Sequence, residues 1–173
     1  RDAVQVLCNG LPYAVLAVWS GAAPQAFGVY LLISMAVATS DTWSSEVGIA
    51  LRGQTLDMVG FKPIRPGRSG GVSLAGSVAG IAGALCVALL ACVLPLNMAD
   101  PLRTITMITV SGFCGMLLDS VLGSLFQARY FMTGNEVGDQ GERFVGGIRW
   151  MTNDLVNLLS NAITTGAALW LLE

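Results

Sequence analysis

Apolar residues fall into five long runs, which shorter polar stretches separate. The runs cover residues 3–20, 25–48, 71–95, 104–127 and 153–172. Each is close in length to the ~20 helical residues that cross a hydrocarbon core. A chain in lipid must satisfy its own backbone hydrogen bonds, and the alternation typical of a membrane strand is absent, so the pattern predicts helices. The expected fold class is all-α, a polytopic transmembrane helical bundle of about five spanning helices. We expect one membrane-embedded domain over residues 1–173.

The composition agrees with residence in a membrane. The chain is 54% hydrophobic and 12% charged, whereas soluble domains carry about 25% charged residues. It contains no histidine, which excludes a histidine general base and a histidine-ligated zinc site. The net charge of −2 gives no reason to expect a nucleic-acid partner. The lipid bilayer is the expected partner, and an oligomer is left open.

Basic residues in the loops predict the orientation of the helices. If the helices alternate in direction, the amino terminus and the two long loops, residues 51–71 and 128–150, share one side. That side collects eight basic residues: Arg1, Arg52, Lys62, Arg65, Arg68, Arg129, Arg143 and Arg149. The other side keeps Arg103. We therefore expect a multi-pass membrane protein whose long loops and active site are cytoplasmic.

Acidic residues lie near the cytoplasmic ends of several predicted helices. Asp41 and Glu46 belong to "SDTWSSEVG" in the second helix, while Asp119 and Asp154 belong to the fourth and fifth. Carboxylates within a membrane are costly and face a protein interior or a wet cavity. Four acids in one pocket would repel one another, and a divalent cation would remove that repulsion. We expect these four acids to form the catalytic centre.

Oxygen ligands without histidine or cysteine favour Mg²⁺. The predicted metal ligands are Asp41, Glu46 and Asp119. On a straight helix Asp41 and Glu46 point about 140° apart. They can therefore share one ion only if the second helix ends or bends near Ser44, and otherwise they serve two neighbouring subsites.

Neutral polar residues are expected at the same depth as the acids. They are Gln5 and Asn9 in the first helix, Ser120 and Gln127 in the fourth, and Asn153 and Asn157 in the fifth. We expect Asn9, Ser120, Gln127, Asn153 and Asn157 to complete a substrate pocket. The alternative is that such groups only join helices through hydrogen bonds, as they often do in membranes.

The segment "KPIRPGRSGGVS", residues 62–73, has the composition of a phosphate-binding loop. Its positive charge comes from Lys62, Arg65 and Arg68, and Gly70 and Gly71 give the backbone freedom. Ser73 precedes a predicted helix whose first N–H groups favour anions. The alternative is a basic turn in which Ser69 or Ser73 caps the helix. Such a loop beside carboxylates has the parts that phosphoryl transfer needs.

The ordered motifs resemble one integral-membrane family. "RDAVQVLCNG", "SDTWSSEVG", "KPIRPGRSGGVS", "GMLLDSVLGSLFQ" and "WMTNDLVNLLSN" occur in the order seen in domain-of-unknown-function family 92, which includes plant phytyl-phosphate kinase. The chain departs from the family pattern at Arg68 and Ser69, where a Thr-Asn pair is common. Some relatives also carry the acid of the fifth helix at the position of Thr152.

The resemblance implies a Mg²⁺-dependent membrane kinase. It would transfer a phosphoryl group from a nucleoside triphosphate, with CTP as the expected donor, to an isoprenoid monophosphate such as phytyl or geranylgeranyl phosphate. The lipid tail of this acceptor is expected to lie along the glycine-rich face of the third helix. A transporter or flippase for a phosphorylated lipid or cation, a cytidylyltransferase acting on a lipid phosphate, and a non-catalytic scaffold are alternatives. Relatives carry further helices before the segment matching Arg1, so we expect this chain to lack an amino-terminal part.

Overall fold

The computed structural model describes residues 3–21, 24–96, 98–131, 137–138, 141 and 143–172. Arg1, one of the basic residues used for the orientation, lies outside them. The helices are α1 Ala3–Ser20, α2 Pro24–Leu51, α3 Leu74–Ala88, α4 Pro101–Phe126 and α5 Asn153–Leu172. The predicted helical bundle is confirmed.

Two helix starts differ from the prediction for local reasons. The third helix begins at Leu74 rather than at residue 71, because Gly71–Ser73 pairs as a strand and Ser73 caps the helix. The fourth begins at Pro101 rather than at residue 104. There Asp100 accepts a hydrogen bond from the Arg103 N–H at 3.1 Å, which satisfies a free donor of the first turn.

Hydropathy alone identifies three of the five predicted spans. Among the described residues, the stretches long and apolar enough to cross a membrane are Ala3–Ser20, Leu74–Cys92 and Pro101–Phe126. The last four residues of the second stretch, Leu89–Cys92, form a 3-10 turn. The helices α2 and α5 are 28 and 20 residues long. They fall short in hydropathy because they carry polar residues into the bundle interior.

The bundle is divided along its axis into an apolar half and a polar half. The apolar core lies away from the long loops and is built from Leu32, Ile33, Ala36, Ala84, Val87, Ala88, Ala91, Ile108 and Ala168. The buried polar residues nearer the loops include Ser40, Ser120, Gln127, Asn157 and Ser160. Large apolar side chains such as Val6, Leu7 and Val18 are exposed, as expected for surfaces that face lipid.

Glycines on α3 bring that helix against α2. A Cβ on Gly76 would lie 2.8 Å from the Ser44 carbonyl oxygen, and one on Gly80 would lie 3.1 Å from Ser40 Oγ. Gly83 is similarly close to Trp43. This is the close packing that small residues permit between membrane helices. The expectation that a lipid tail follows this face is therefore wrong, because α2 fills the space.

Both long loops contain small antiparallel sheets, where the sequence predicted only loops. The strands β1 Thr55–Asp57, β2 Pro63–Ile64 and β3 Gly71–Ser73 form the first sheet, in the order β2-β1-β3. The strands β4 Arg129–Phe131, β5 Val137–Gly138 and β6 Arg143–Gly146 form the second, in the order β5-β4-β6. Short strands of two to four residues carry too little periodicity to be recognised in a sequence. Both sheets lie at the polar end of the bundle.

Candidate functional site

A polar cavity of about 140 Å³ opens where the first loop sheet meets the polar ends of four helices. The helical lining comes from Gln5 and Asn9 on α1, Asp41, Thr42, Ser44, Ser45, Gly48 and Ile49 on α2, Asp119 and Ser120 on α4, and Asn153 and Asn157 on α5. The loop adds Thr55, Gly67, Arg68, Ser69, Gly70, Gly71 and Ser73. Most residues predicted for the site therefore do come together.

Asp41 and Asp119 form the acidic centre of this cavity. They come from different helices, and their carboxylates are close enough to interact electrostatically. Asp119 Oδ1 accepts a hydrogen bond from Ser160 Oγ at 3.0 Å. Two ionised carboxylates in one partly buried cavity repel each other.

Asn157 of α5 contributes a second contact to Asp119. In the amide orientation that satisfies its surroundings, Asn157 Nδ2 donates to Asp119 Oδ1 at 2.9 Å and to the Asn153 carbonyl at 3.1 Å. The other amide atom lies 3.2 Å from Asn9 Oδ1. Asn9, Asn153, Asn157 and Ser120 line the same cavity as Asp41 and Asp119, and their role in substrate binding stays a prediction.

Glu46 does not join the acid pair, which corrects the prediction for the metal ligands. It is exposed and does not line the cavity. The physical reason is that α2 does not end near Ser44 but continues to Leu51. At about 100° per residue, Glu46 points away from Asp41.

Asp154 is also not part of the cavity lining, although it lies on the first turn of α5. Asn153 and Asn157 face the cavity from that helix instead. Among the described residues, no three Asp, Glu, Cys or His side chains lie close enough together to hold an ion. The predicted group of four acids is thereby reduced to the pair Asp41 and Asp119.

The remaining donor set still fits Mg²⁺. That ion is commonly held by one or two carboxylates, with water and substrate phosphate oxygens filling its other positions. Asp41 and Asp119 supply the two carboxylates, and Thr42 and Ser120, which carry hydroxyl groups, line the same cavity.

The loop residues predicted to bind phosphate divide into two groups. Arg68, Gly70, Gly71 and Ser73 line the cavity. Lys62 and Arg65 are exposed and do not line it, since they flank β2, the edge strand of the sheet on the side of β1 away from β3. Arg68 is therefore the one basic residue, among those the structure describes, that lines the cavity.

Ser73 has a structural role as well as a place in the lining. Its Oγ accepts a hydrogen bond from the Gly76 N–H at 3.1 Å and caps α3. The alternative interpretation of this serine as a helix cap is thus confirmed. One free donor of the helix start is already satisfied by the chain itself.

Gly70 fixes the distance between the loop and α4. Its φ is +77°, in the left-handed region that favours glycine. A Cβ at this position would lie 2.6 Å from the backbone nitrogen of Ser124. Gly123 is the complementary small residue on the helix, because a Cβ there would meet Ser69 Oγ at 2.5 Å. Any larger residue at these contacts would push the loop away from the cavity.

Gln127 anchors this contact rather than lining the cavity, which corrects its predicted role. It is 1% exposed, and its Oε1 accepts a hydrogen bond from Ser69 Oγ. Within the described residues, its Nε2 is buried without a hydrogen-bond partner. Gln127 therefore holds the loop of residues 62–73 in place through Ser69.

Asp57 is a site-supporting residue that the sequence reasoning missed. Its Oδ1 accepts hydrogen bonds from Gly60 N–H at 2.6 Å, Val59 N–H at 3.2 Å and Ser124 Oγ at 2.9 Å. The first two close a tight turn after β1, and the third ties that turn to α4. An aspartate followed three residues later by glycine is a turn signal, and it could have identified the turn after β1. The contact with Ser124 has no signal in the sequence.

The environment of Asp57 lowers the pKa of its carboxyl. Partial desolvation raises the pKa, but the hydrogen bonds from Gly60, Ser124 and Val59 and the positive charge of Arg68 outweigh it. The net effect is a pKa below the ordinary value for aspartate. Asp57 is therefore ionised at neutral pH, and its charge attracts Arg68 on the loop that lines the cavity.

Asn161 shows where polar residues serve packing instead of chemistry. Its Oδ1 accepts from Ser34 Oγ at 3.0 Å and from Thr165 Oγ1 at 3.1 Å. Its Nδ2 donates to the carbonyls of Ser34 at 3.1 Å and Asn9 at 3.3 Å. These bonds join α1, α2 and α5 and use the whole amide. The alternative interpretation by interhelical hydrogen bonds thus holds for this residue.

The chain resembles proteins from a plant and an archaeon. It is 31% identical to Protein PGR of Arabidopsis thaliana over 95% of this chain and 67% of that protein. It is 32% identical to an uncharacterised membrane protein of Methanocaldococcus jannaschii, over 86% of this chain and 60% of that protein. It is 26% identical to the chloroplast protein VTE6 of Arabidopsis thaliana, over 85% of this chain and 38% of that protein. No solved structure matches the chain significantly.

The comparison with protein families covers nearly the whole chain. The family described as integral membrane protein DUF92 matches residues 1–165. The relatives above are longer than this chain, which spans between 38% and 67% of their lengths. The resemblance expected from the motifs is confirmed, and the protein is a member of the DUF92 family of integral membrane proteins.

Proposed function

We propose that this protein is a Mg²⁺-dependent phosphotransferase that moves the γ-phosphoryl group of a nucleoside triphosphate, CTP in the first instance, to an isoprenoid monophosphate. The observation that carries the proposal is that Asp41 and Asp119 share one cavity with Arg68 and the backbone of Gly70 and Gly71. Phosphoryl transfer needs an acidic pair to hold a cation and a basic loop to hold phosphate oxygens. The isoprenoid acceptor is taken from the motif resemblance.

The chemistry of the acceptor suits a site without histidine. A phosphate monoester carries about −1.5 to −2 charge at pH 7, because its second pKa is about 6. Its attacking oxygen is already ionised, so no side chain has to remove a proton. The site must instead hold two anionic substrates together, and Mg²⁺, when bound, would neutralise charge on the donor phosphates.

The residues of the cavity then take separate tasks. Arg68 and the N–H group of Gly70 would bind the donor phosphates, while the Gly71 N–H holds the loop by donating to the Arg68 carbonyl at 3.1 Å. Asp41 and Asp119 would hold the cation. Asn157 and Ser160 orient the Asp119 carboxylate through the hydrogen bonds described above. Asn9 and Asn153, which both contact Asn157, would position the acceptor phosphate. Because Arg68 carries basic charge from the loop side, we place this site on the cytoplasmic side, in line with the distribution of basic residues.

The position of the site favours a phosphotransferase over a transporter. Transporters commonly bind their substrate near the bilayer midplane, between repeats. The acid pair lies instead in the polar half of the bundle, directly under the first loop sheet. This placement suits a reaction between a water-soluble nucleotide and a lipid head group at the membrane surface.

The test is a radiolabel assay on the purified protein with Mg²⁺, CTP and geranylgeranyl or phytyl phosphate. Label in the γ position should appear in the prenyl diphosphate, and label in the α position should not. Transfer of the α label would show cytidylyl transfer instead. The absence of turnover with every prenyl phosphate and every nucleoside triphosphate would reject the proposal.

A further inference from the structure

An apolar groove runs between α4 and α5 on the outside of the bundle. It encloses about 620 Å³, and its walls include Thr106, Val110 and Leu118 on α4 and Ile163, Ala167 and Leu171 on α5. From Thr106 to Leu118 it follows α4 for about 18 Å. That length covers more than half of a hydrocarbon core of about 30 Å.

One end of this groove lies next to the acid pair along both helices. Leu118 lines the groove, and the next residue, Asp119, lines the cavity. On α5, Ser160 donates its hydrogen bond to Asp119 at 3.0 Å, and Ile163 in the following turn lines the groove. A lipid whose polar head lies at Asp119 would therefore extend its apolar tail along α4 and α5.

A second apolar groove, between α1 and α5, is less suitable. It encloses about 250 Å³ and includes Leu11, Val15 and Ala162. Its inner wall contains Thr165, whose hydroxyl is bonded to Asn161 in the network that joins three helices. That network lies between this groove and the bundle interior. The smaller groove thus provides a natural comparison on the other face of α5.

We propose that the groove between α4 and α5 binds the isoprenoid tail of the lipid phosphate whose head group lies at Asp41 and Asp119. The inference rests on the proposed function for the identity of the head group. It adds a binding site for the isoprenoid tail and predicts that the enzyme distinguishes long from short prenyl phosphates. It also replaces the glycine-rich face of α3, which α2 already covers.

The kinetic test uses two exposed alanines on the same helix. Ala167→Phe fills the proposed groove, and Ala162→Phe fills the smaller groove as the matched control. We expect Ala167→Phe to raise the KM for geranylgeranyl phosphate by about tenfold, since a poorly fitted apolar group costs this much in a hydrophobic pocket. Its KM for dimethylallyl phosphate should not change. Ala162→Phe should change neither value, and the opposite ranking of the two variants would overturn the inference.

A binding test separates this inference from the proposed function. A geranylgeranyl phosphate with a diazirine at its distal end should label peptides around Thr106 and Leu171 on irradiation in nanodiscs. Ala167→Phe should remove that label. Labelling without turnover would support the tail site and reject the kinase, whereas turnover with the label on α1 or α3 would do the reverse. Equal labelling by the same probe without its phosphate would show a surface covered by bulk lipid, and the tail site would be rejected.

Discussion

Asp57 accepts a hydrogen bond from the Ser124 hydroxyl at 2.9 Å, and this bond fastens the first loop sheet to α4 beside the cavity. It acts together with the contact between Gly70 and the Ser124 backbone, and with the bond from the Met58 N–H to the Gly70 carbonyl at 2.8 Å. The loop that carries Arg68 is thus held at a fixed distance from Asp119. Positioning of this kind matters because a phosphate-binding loop stabilises a phosphate group only when the two are held at contact distance.

Removal of the Asp57 carboxylate should release the phosphate loop. We expect Asp57→Ala to weaken nucleotide binding by about tenfold, because loss of a charge-assisted hydrogen bond costs about 1.5 kcal/mol or more. Asp100→Ala is the matched control, since it removes a carboxylate that caps α4 away from the cavity. Both variants should lower the melting temperature in detergent, and only Asp57→Ala should weaken nucleotide binding by calorimetry. An equal effect of both variants on binding would contradict the positioning role.

The lowered pKa of Asp57 predicts a specific dependence of stability on pH. A carboxyl whose pKa is lower in the folded protein stabilises the fold above its unfolded pKa of about 4, and this contribution is lost as pH falls below that value. The melting temperature of the natural protein should therefore fall more steeply below about pH 4 than that of Asp57→Asn. Thermal unfolding in detergent from neutral to acid pH measures the difference. Parallel curves for the two proteins would show that the carboxylate does not stabilise the fold.

The acid pair gives the sharpest test of the site. Asp41→Asn and Asp119→Asn should each lower kcat by a factor on the order of 100, because a metal-held charge contributes several kcal/mol to phosphoryl transfer. Both should also weaken Mn²⁺ binding measured by electron paramagnetic resonance, with Mn²⁺ standing in for Mg²⁺. Glu46→Gln should keep most of the activity, because Glu46 is exposed and outside the cavity. If Glu46→Gln lowered kcat as much as Asp41→Asn, the assignment of Asp41 to the site and of Glu46 to its outside would be wrong.

Gly70 should tolerate no side chain, in contrast to a nearby glycine of the same loop. Gly70→Ala combines a left-handed φ of +77° with a Cβ only 2.6 Å from the Ser124 nitrogen. We expect it to lower the free energy of unfolding by about 1–3 kcal/mol and to reduce activity, because backbone cannot yield as a flexible side chain can. Gly53→Ala is the control, since a Cβ there meets nothing within 4 Å. Thermal shift and turnover should be nearly unchanged for Gly53→Ala, and a similar loss in both variants would argue against the close approach.

The arrangement of the loops could be predicted only in part. The composition of residues 62–73 indicated a phosphate loop, and Arg68, Gly70 and Gly71 do line the cavity. Lys62 and Arg65 have the same charge but are exposed outside it. The difference arises because β2 and β3 lie on opposite sides of β1, and this pairing depends on contacts between distant segments. Short strands of this kind leave no period in the sequence.

The sequence by itself determined the five helices, the depth of the polar residues and the motif order that identifies the family. The length of a hydrophobic run and its helical period are local properties, and they do not depend on how the helices are arranged. Only the tertiary structure decided that Asp41 meets Asp119, while Glu46 and Asp154 remain outside the cavity. Helical period gives the angle between two residues on one helix, but not the rotation of that helix about its own axis in the bundle. Contacts such as Gly76 against Ser44 and Gly70 against Ser124 fix that rotation and bring distant segments together.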